Sequence, residues 1–198
     1  MKKIVFLYFL LTYHYCLSQT HEQFKDCEKI ESNWGKLLKA KISCLFDFDK
    51  MELCSLSAET LKDLIQTQGY EEIKANFKSY SISIFVTIKW KEYGVTFDPM
   101  YEGMFVMPYN QKIPFIKEKY ETREIQFTNS KGNPVKAFDF LYKNKAVYFN
   151  GNGYNSEIVV SHKTKKAMIG MRFIKGFNWI IDTAHKKVYV KKNSVSLD

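Results

Sequence analysis

Between Ser81 and Ile88 the chain alternates without a break. Ile82, Ile84, Val86 and Ile88 fall on one side, and Ser81, Ser83, Phe85 and Thr87 on the other. A period of two places four β-branched side chains on one face of a strand. A strand with such a face cannot stand alone; it needs neighbours at its edges and cover on its apolar side. The rest of the second half supplies candidates. Residues 91–94 read as a turn and 95–98 as the start of a second strand, making a hairpin. Further strands are predicted at 122–128, 135–141, 145–149, 157–161 and 179–182, with 188–190 closing the series. Turn residues punctuate them at 129–134, 150–153 and 185–187, and 171–177 reads as one short helix. The aromatic residues, Trp90 and Trp179 among them, alternate with polar ones and read as core. The second half is thus expected to be a mainly β domain of about 120 residues, of barrel or orthogonal-sandwich type.

Ahead of it, residues 19–78 follow a different rhythm. Trp34, Leu37 and Leu38 repeat at helical spacing. Ser57 is placed to cap a helix over 58–68, with Leu61, Leu64 and Ile65 on one face and Gly69 as its stop. The segment is expected to be a small helical extension, α+β overall with the lobe of 79–198. The first eighteen residues read as a secretory signal peptide. Lys2 and Lys3 precede an apolar run from Ile4 to Leu11, well short of the ~20 residues a membrane span needs. Cleavage is expected after Ser18, which makes the protein exported, periplasmic or secreted, with no membrane span.

Charge narrows the classes further. The chain carries 30 Lys and Arg against 21 Asp and Glu, a net of +9, and losing Lys2 and Lys3 leaves +7. The basic residues are scattered and read as solvated faces, so no nucleic acid is expected as a partner. Three cysteines remain after the leader: Cys27, Cys44 and Cys54. One disulfide and one free thiol, or buried free thiols, are both compatible with them. Their spacing contains no ligand pattern for a metal, and no cofactor is expected. The histidines are isolated in sequence, and no metallohydrolase helix or serine nucleophile elbow is present. Gly151-Asn152-Gly153 suits a tight turn rather than a phosphate cradle.

Two stretches go beyond a generic β domain. The first runs from Val95 to Pro108 and contains Asp98-Pro99-Met100. The second is Ala167-Met168-Ile169-Gly170 through Asp182, followed by Lys186-Lys187-Val188-Tyr189-Val190. Together, over roughly 80–192, they resemble a lobe of the retropepsin-like and pepsin-like aspartic peptidases. In that family an apolar pair and Gly, a short helix, an apolar strand ending in Asp and a basic last strand close the lobe. The resemblance implies a single acid-protease-like β-barrel lobe with Asp98 in the catalytic position. It implies that Gly170 lets the closing segment pass behind the Asp98 loop, and that 129–134 tips a hairpin flap. Two carboxylates must share one proton to activate water against a peptide bond. One lobe supplies one, so an endopeptidase of this kind would be a homodimer acting on extended polypeptide. Pro99 and Met100 replace the family's hydroxyl residue and glycine, which argues for lost activity. The alternative is a non-enzymatic peptide-binding or interaction module on the same fold. Glu102 reads as a surface residue, and Asp182 as a turn residue that accepts backbone hydrogen bonds.

Overall fold

The computed structural model describes residues 28–29, 38–39, 41–50, 52–78, 81–111, 113–114, 117–128 and 132–194. The expected signal peptide and Cys27 lie outside these. The described chain is mainly β and divides into two compact units.

Unit 1 comprises 1–74 and 176–195. Its sheet has the order β1-β3-β2-β13-β14-β4, where β1 is Glu28–Lys29, β2 Ser43–Asp47, β3 Glu52–Leu56 and β4 Glu71–Ile73. The strands β13, Phe177–Asp182, and β14, Lys187–Lys192, come from the far end of the chain. The one helix of this unit with a described cap, α1, covers Ala58–Thr67. The Ser57 hydroxyl accepts from the Thr60 N–H at 3.1 Å and so satisfies one of the free donors of its first turn. Leu61 and Leu64 bury against Leu45, Cys54, Tyr70, Ile180 and Tyr189. Gly69, at φ +72°, follows the helix end in the left-handed region.

Two expectations are corrected in this unit. The segment 19–78 was read as helical, yet 43–47 and 52–56 are strands. All five residues of β2 are buried, so it shows no alternation, and a short continuous apolar run does not distinguish helix from strand. The single lobe of 79–198 is also divided. Every residue of β13 is buried, and its two edges are taken by β2 and β14, which draws the chain's end into this sheet. Cys44 and Cys54 are free thiols. Cys44 lies opposite Ser55 and Cys54 opposite Leu45, so the two point to opposite faces of the sheet and cannot bond to each other.

Unit 2 holds 75–175. Its strands run β5-β6-β7-β12-β8-β11-β10-β9, and β10 pairs again with β6 through Val147–Ile88 and Tyr148–Thr87. That second pairing closes a barrel of β6 (Ser81–Ile88), β7 (Lys91–Phe97), β12 (Met168–Ile169), β8 (Phe105–Pro108), β11 (Asn152–Ser161) and β10 (Pro134–Phe149). The remaining strands, β5 (Ala75–Lys78) and β9 (Glu121–Thr128), hang from β6 and β10. The alternation of 81–88 appears as expected, with Ile82, Ile84, Val86 and Ile88 buried. A four-residue helix, α2 (Met171–Ile174), brings Phe173 against Phe105, Phe149 and Tyr154.

The barrel departs from expectation in three places. The β6–β7 turn is Lys89–Trp90, not 91–94; Ile88 pairs with Lys91, and both turn residues take positive φ, 45° and 70°. Gly94, expected in the turn, instead lies in the strand opposite Phe85, whose ring a side chain there would touch at 3.6 Å. Trp90 is not core: the two-residue turn projects it, 92% exposed, with its ring stacked on Tyr148. Finally, 135–141 and 145–149 form one long strand, bent at a register shift between Tyr142 and Lys145 where Asn144 has φ 54°.

Candidate functional site

The chemistry-bearing residues gather where β7 ends. Strand β12 lies between β7 and β8, parallel to the first and antiparallel to the second. The loop that joins β7 to β8, residues 98–104, therefore has to pass over the residues that follow β12. The Asp98 N–H donates to the Ile169 carbonyl at 3.0 Å, and the Gly170 N–H to the Met104 carbonyl at 2.8 Å. The Met171 N–H reaches the Tyr101 carbonyl at 2.7 Å. A Cβ on Gly170 would stand 2.3 Å from the Gly103 carbonyl and 2.5 Å from that of Tyr101. Since Gly170 has φ −110°, the requirement for glycine here is one of space alone.

Asp98 is half-buried at the head of this loop. Its Oδ1 accepts from the Met100 N–H at 3.0 Å, and its carbonyl from the Tyr101 N–H at 3.2 Å. Asp98 through Tyr101 thus form a β-turn with Asp first and Pro second, the positions both residues prefer. Pro99 needs no donor there, and Met100 extends its side chain outward, 65% exposed. Glu102 is exposed.

Sequence reasoning did not single out Tyr101 of this loop, nor three charged residues that act on it, Asp139, Glu157 and Arg172. The Tyr101 phenol is pushed up to about 12, first by burial and then by the charges of Asp139 and Glu157, against which Arg172 acts. Arg172 is ion-paired with Glu157. Asp139 comes from β10, in the stretch that forms an arm with β9, and its Oδ1 is buried with no hydrogen-bond partner. The sequence did hold a signal for Asp139: it continues the half-buried series Val135, Ala137 in an alternating strand.

The other candidates lie elsewhere. The arm pairs 121–128 with 134–141; of the expected flap tip, 129–131 lie outside the described residues. Asp182, in unit 1, is buried; its Oδ1 accepts from the His185 N–H at 3.1 Å and its Oδ2 lies 2.7 Å from His185 Nδ1. Asn150 and Gly151 make the tight β10–β11 turn with positive φ. Among the described residues no group of three or more His, Cys, Asp or Glu is placed to hold a metal ion, and no helix is long and apolar enough to cross a membrane.

The class these observations define is a small closed β-barrel with a threaded strand beneath a carboxylate-bearing loop. No protein-family model matches the chain, and no curated protein matches its sequence.

Proposed function

We propose that the barrel is an aspartic-peptidase-like lobe of an exported protein, and that it binds extended polypeptide between the β9–β10 arm and the Asp98 loop without cleaving it. The observation that carries this reading is the threading of Met168-Ile169-Gly170 behind the loop that begins at Asp98. The charge of Asp139 on the arm helps to raise the Tyr101 phenol of the loop, which supports a ligand meeting both. Peptide hydrolysis by this chemistry needs two carboxylates sharing a proton, because like charges at that distance do not both ionise. The loop offers one at that position, flanked by the Met100 side chain and by a proline without a hydroxyl. Binding asks less: an apolar face, free hydrogen-bonding groups and an extended ligand.

A homodimeric endopeptidase is the second reading. It is favoured by Asp98 itself, whose carboxylate accepts from the Met100 N–H at the head of the loop and has no ion-pair partner among the described residues. The test incubates the purified full chain with a denatured protein from acidic to neutral pH, with and without pepstatin, beside Asp98→Ala. The expected result is binding of polypeptide with no cleavage in either protein. Pepstatin-sensitive cleavage that Asp98→Ala loses would replace the first reading by the second.

A further inference from the structure

One polar atom of the arm is left without a role in the fold. The half-buried positions of β9 are Ile125 and Phe127, and those of the first half of β10 are Val135, Ala137 and Asp139. The register sets Phe127 against Val135, Ile125 against Ala137, and Arg123 against Asp139. Directly opposed residues share a face, so the six side chains form one underside, apolar along 125, 127, 135 and 137 and carrying Asp139 and Arg123 at one end. Lys136 and Phe138 alternate onto the other face and are exposed. Asp139 Oδ1 is closed off from water and is the one buried side-chain oxygen or nitrogen among the described residues without a partner. Burying a carboxylate oxygen without a donor costs free energy that a donor would restore. Among the described residues no cation bonds that oxygen: Arg123, directly across the strand, is exposed and forms no ion pair with Asp139, and Arg172 is bound by Glu157. Pairing of β10 with β11 begins at Phe140, so from Pro134 to Asp139 its described sheet partner is β9 alone.

We propose that this underside is a polypeptide-binding face on which Asp139 receives a lysine or arginine side chain. The inference rests on the peptide-binding reading above and names what that ligand carries. A basic group supplies the missing donor as a charge-assisted bond, which at a carboxylate is stronger than one from a neutral donor. Val135, Ala137 and Asp139 recur at two-residue steps, so an extended ligand lying along the arm meets them with alternate side chains. The matching pattern is apolar, any, apolar, any, basic. Asp139 remains half-buried while its Oδ1 is covered, so the ligand reaches that oxygen by displacing what lies over it along the underside.

The test measures fluorescence anisotropy of labelled nonapeptides with the full chain. Each has valine at two alternate positions and lysine, norleucine or glutamate at the third. The lysine peptide is expected to bind about tenfold or more tighter than the norleucine peptide, the gain of a charge-assisted contact over an apolar one of similar length. Asp139→Asn should reduce that preference to within about twofold, and Asp139→Glu should restore it, the charge being the cause. Asp139→Ser serves the same comparison if the asparagine variant does not fold. Equal affinity for the lysine and norleucine peptides overturns the inference while leaving peptide binding intact, and would mean that water or Arg123 satisfies Asp139. A lysine preference that survives in the asparagine or serine variant overturns it as well. Binding of none of the peptides overturns both this inference and the reading beneath it.

Discussion

In the six-stranded sheet of unit 1, the buried polar side chains are committed at both ends. Asn178 accepts from the Phe48 N–H at 2.7 Å and donates to Asp49 at 2.8 Å. Thr183 Oγ1 both donates to the Ile42 carbonyl and accepts from its N–H, each at 2.8 Å. Asp182 spends both oxygens on His185. In the barrel, Asp139 keeps an oxygen unpaired, Asp98 heads an outward turn, and Trp90 projects from a hairpin in positive φ. The contrast separates polar groups that hold distant pieces of chain together from groups left available to something else. In unit 1 the bonds of Asn178, Thr183 and Asp49 join residues 129 to 145 positions apart, a stapling role, while Asp182 closes a local turn on His185. The barrel's exceptions fall where the closed sheet gives way to loop, arm and turn, as expected of parts that trade stability for function.

The largest effect that would sharpen this division is at Gly170. Its replacement by alanine should cost about 2–3 kcal/mol, because the new methyl meets backbone carbonyls on two sides and the loop has to shift. Urea unfolding would measure the loss. A neutral result would detach the Asp98 loop from the segment behind it and remove the observation on which the functional proposal stands.

In unit 1, Asn178→Ala should cost about 1.5 kcal/mol, since it strands the Phe48 N–H and removes a donor from Asp49. A pH arm extends this test. Burial alone would raise Asp49, but Ser194, Asn178 and Lys191 outweigh it and hold the carboxyl below its ordinary 3.8. A carboxyl lowered in the folded state binds protons better when unfolded. Its contribution is therefore present above about pH 3.8 and fades as pH falls through the lower folded value. The stability gap between the wild type and Asp49→Asn should accordingly close on acidification. A gap that widened would mean that Asp49 is no staple.

The smallest effect should have the opposite sign. Trp90→Gly relieves a left-handed residue and forfeits one surface ring contact, for a net gain of about 0.5–1 kcal/mol in thermal unfolding. A loss of stability would make Trp90 an ordinary structural residue and weaken the contrast between the two regions.

Legibility in the sequence cut across the two units. The alternation of 81–88 could be read because one face of β6 is buried and the other is not. The helix after Ser57 could be read because its cap and its apolar stripe are local. Strand β2 could not, because burial on both faces erases the period, and the residues packed about Leu45 include Ile180 and Tyr189 from the far end of the chain. Trp90 was misread because aromatic content says nothing of which residue a two-residue turn will project. Asp139 was missed although its strand was predicted, because a charge in a half-buried register signifies only once the chain opposite it is known.

The sequence by itself therefore settled what local physics can settle: that an alternating segment such as 81–88 runs as strand, where the helix after Ser57 is capped, and that Asp98 closes a strand in a turn. Tertiary structure decided which strands pair, that the last two leave the barrel for another sheet, and that glycine is needed at 170. It also decided that Asp139 buries an oxygen with nothing to bond. The reason is that pairing, close approach and burial are properties of residues far apart in the chain, and their cost is set by whatever folding brings opposite them.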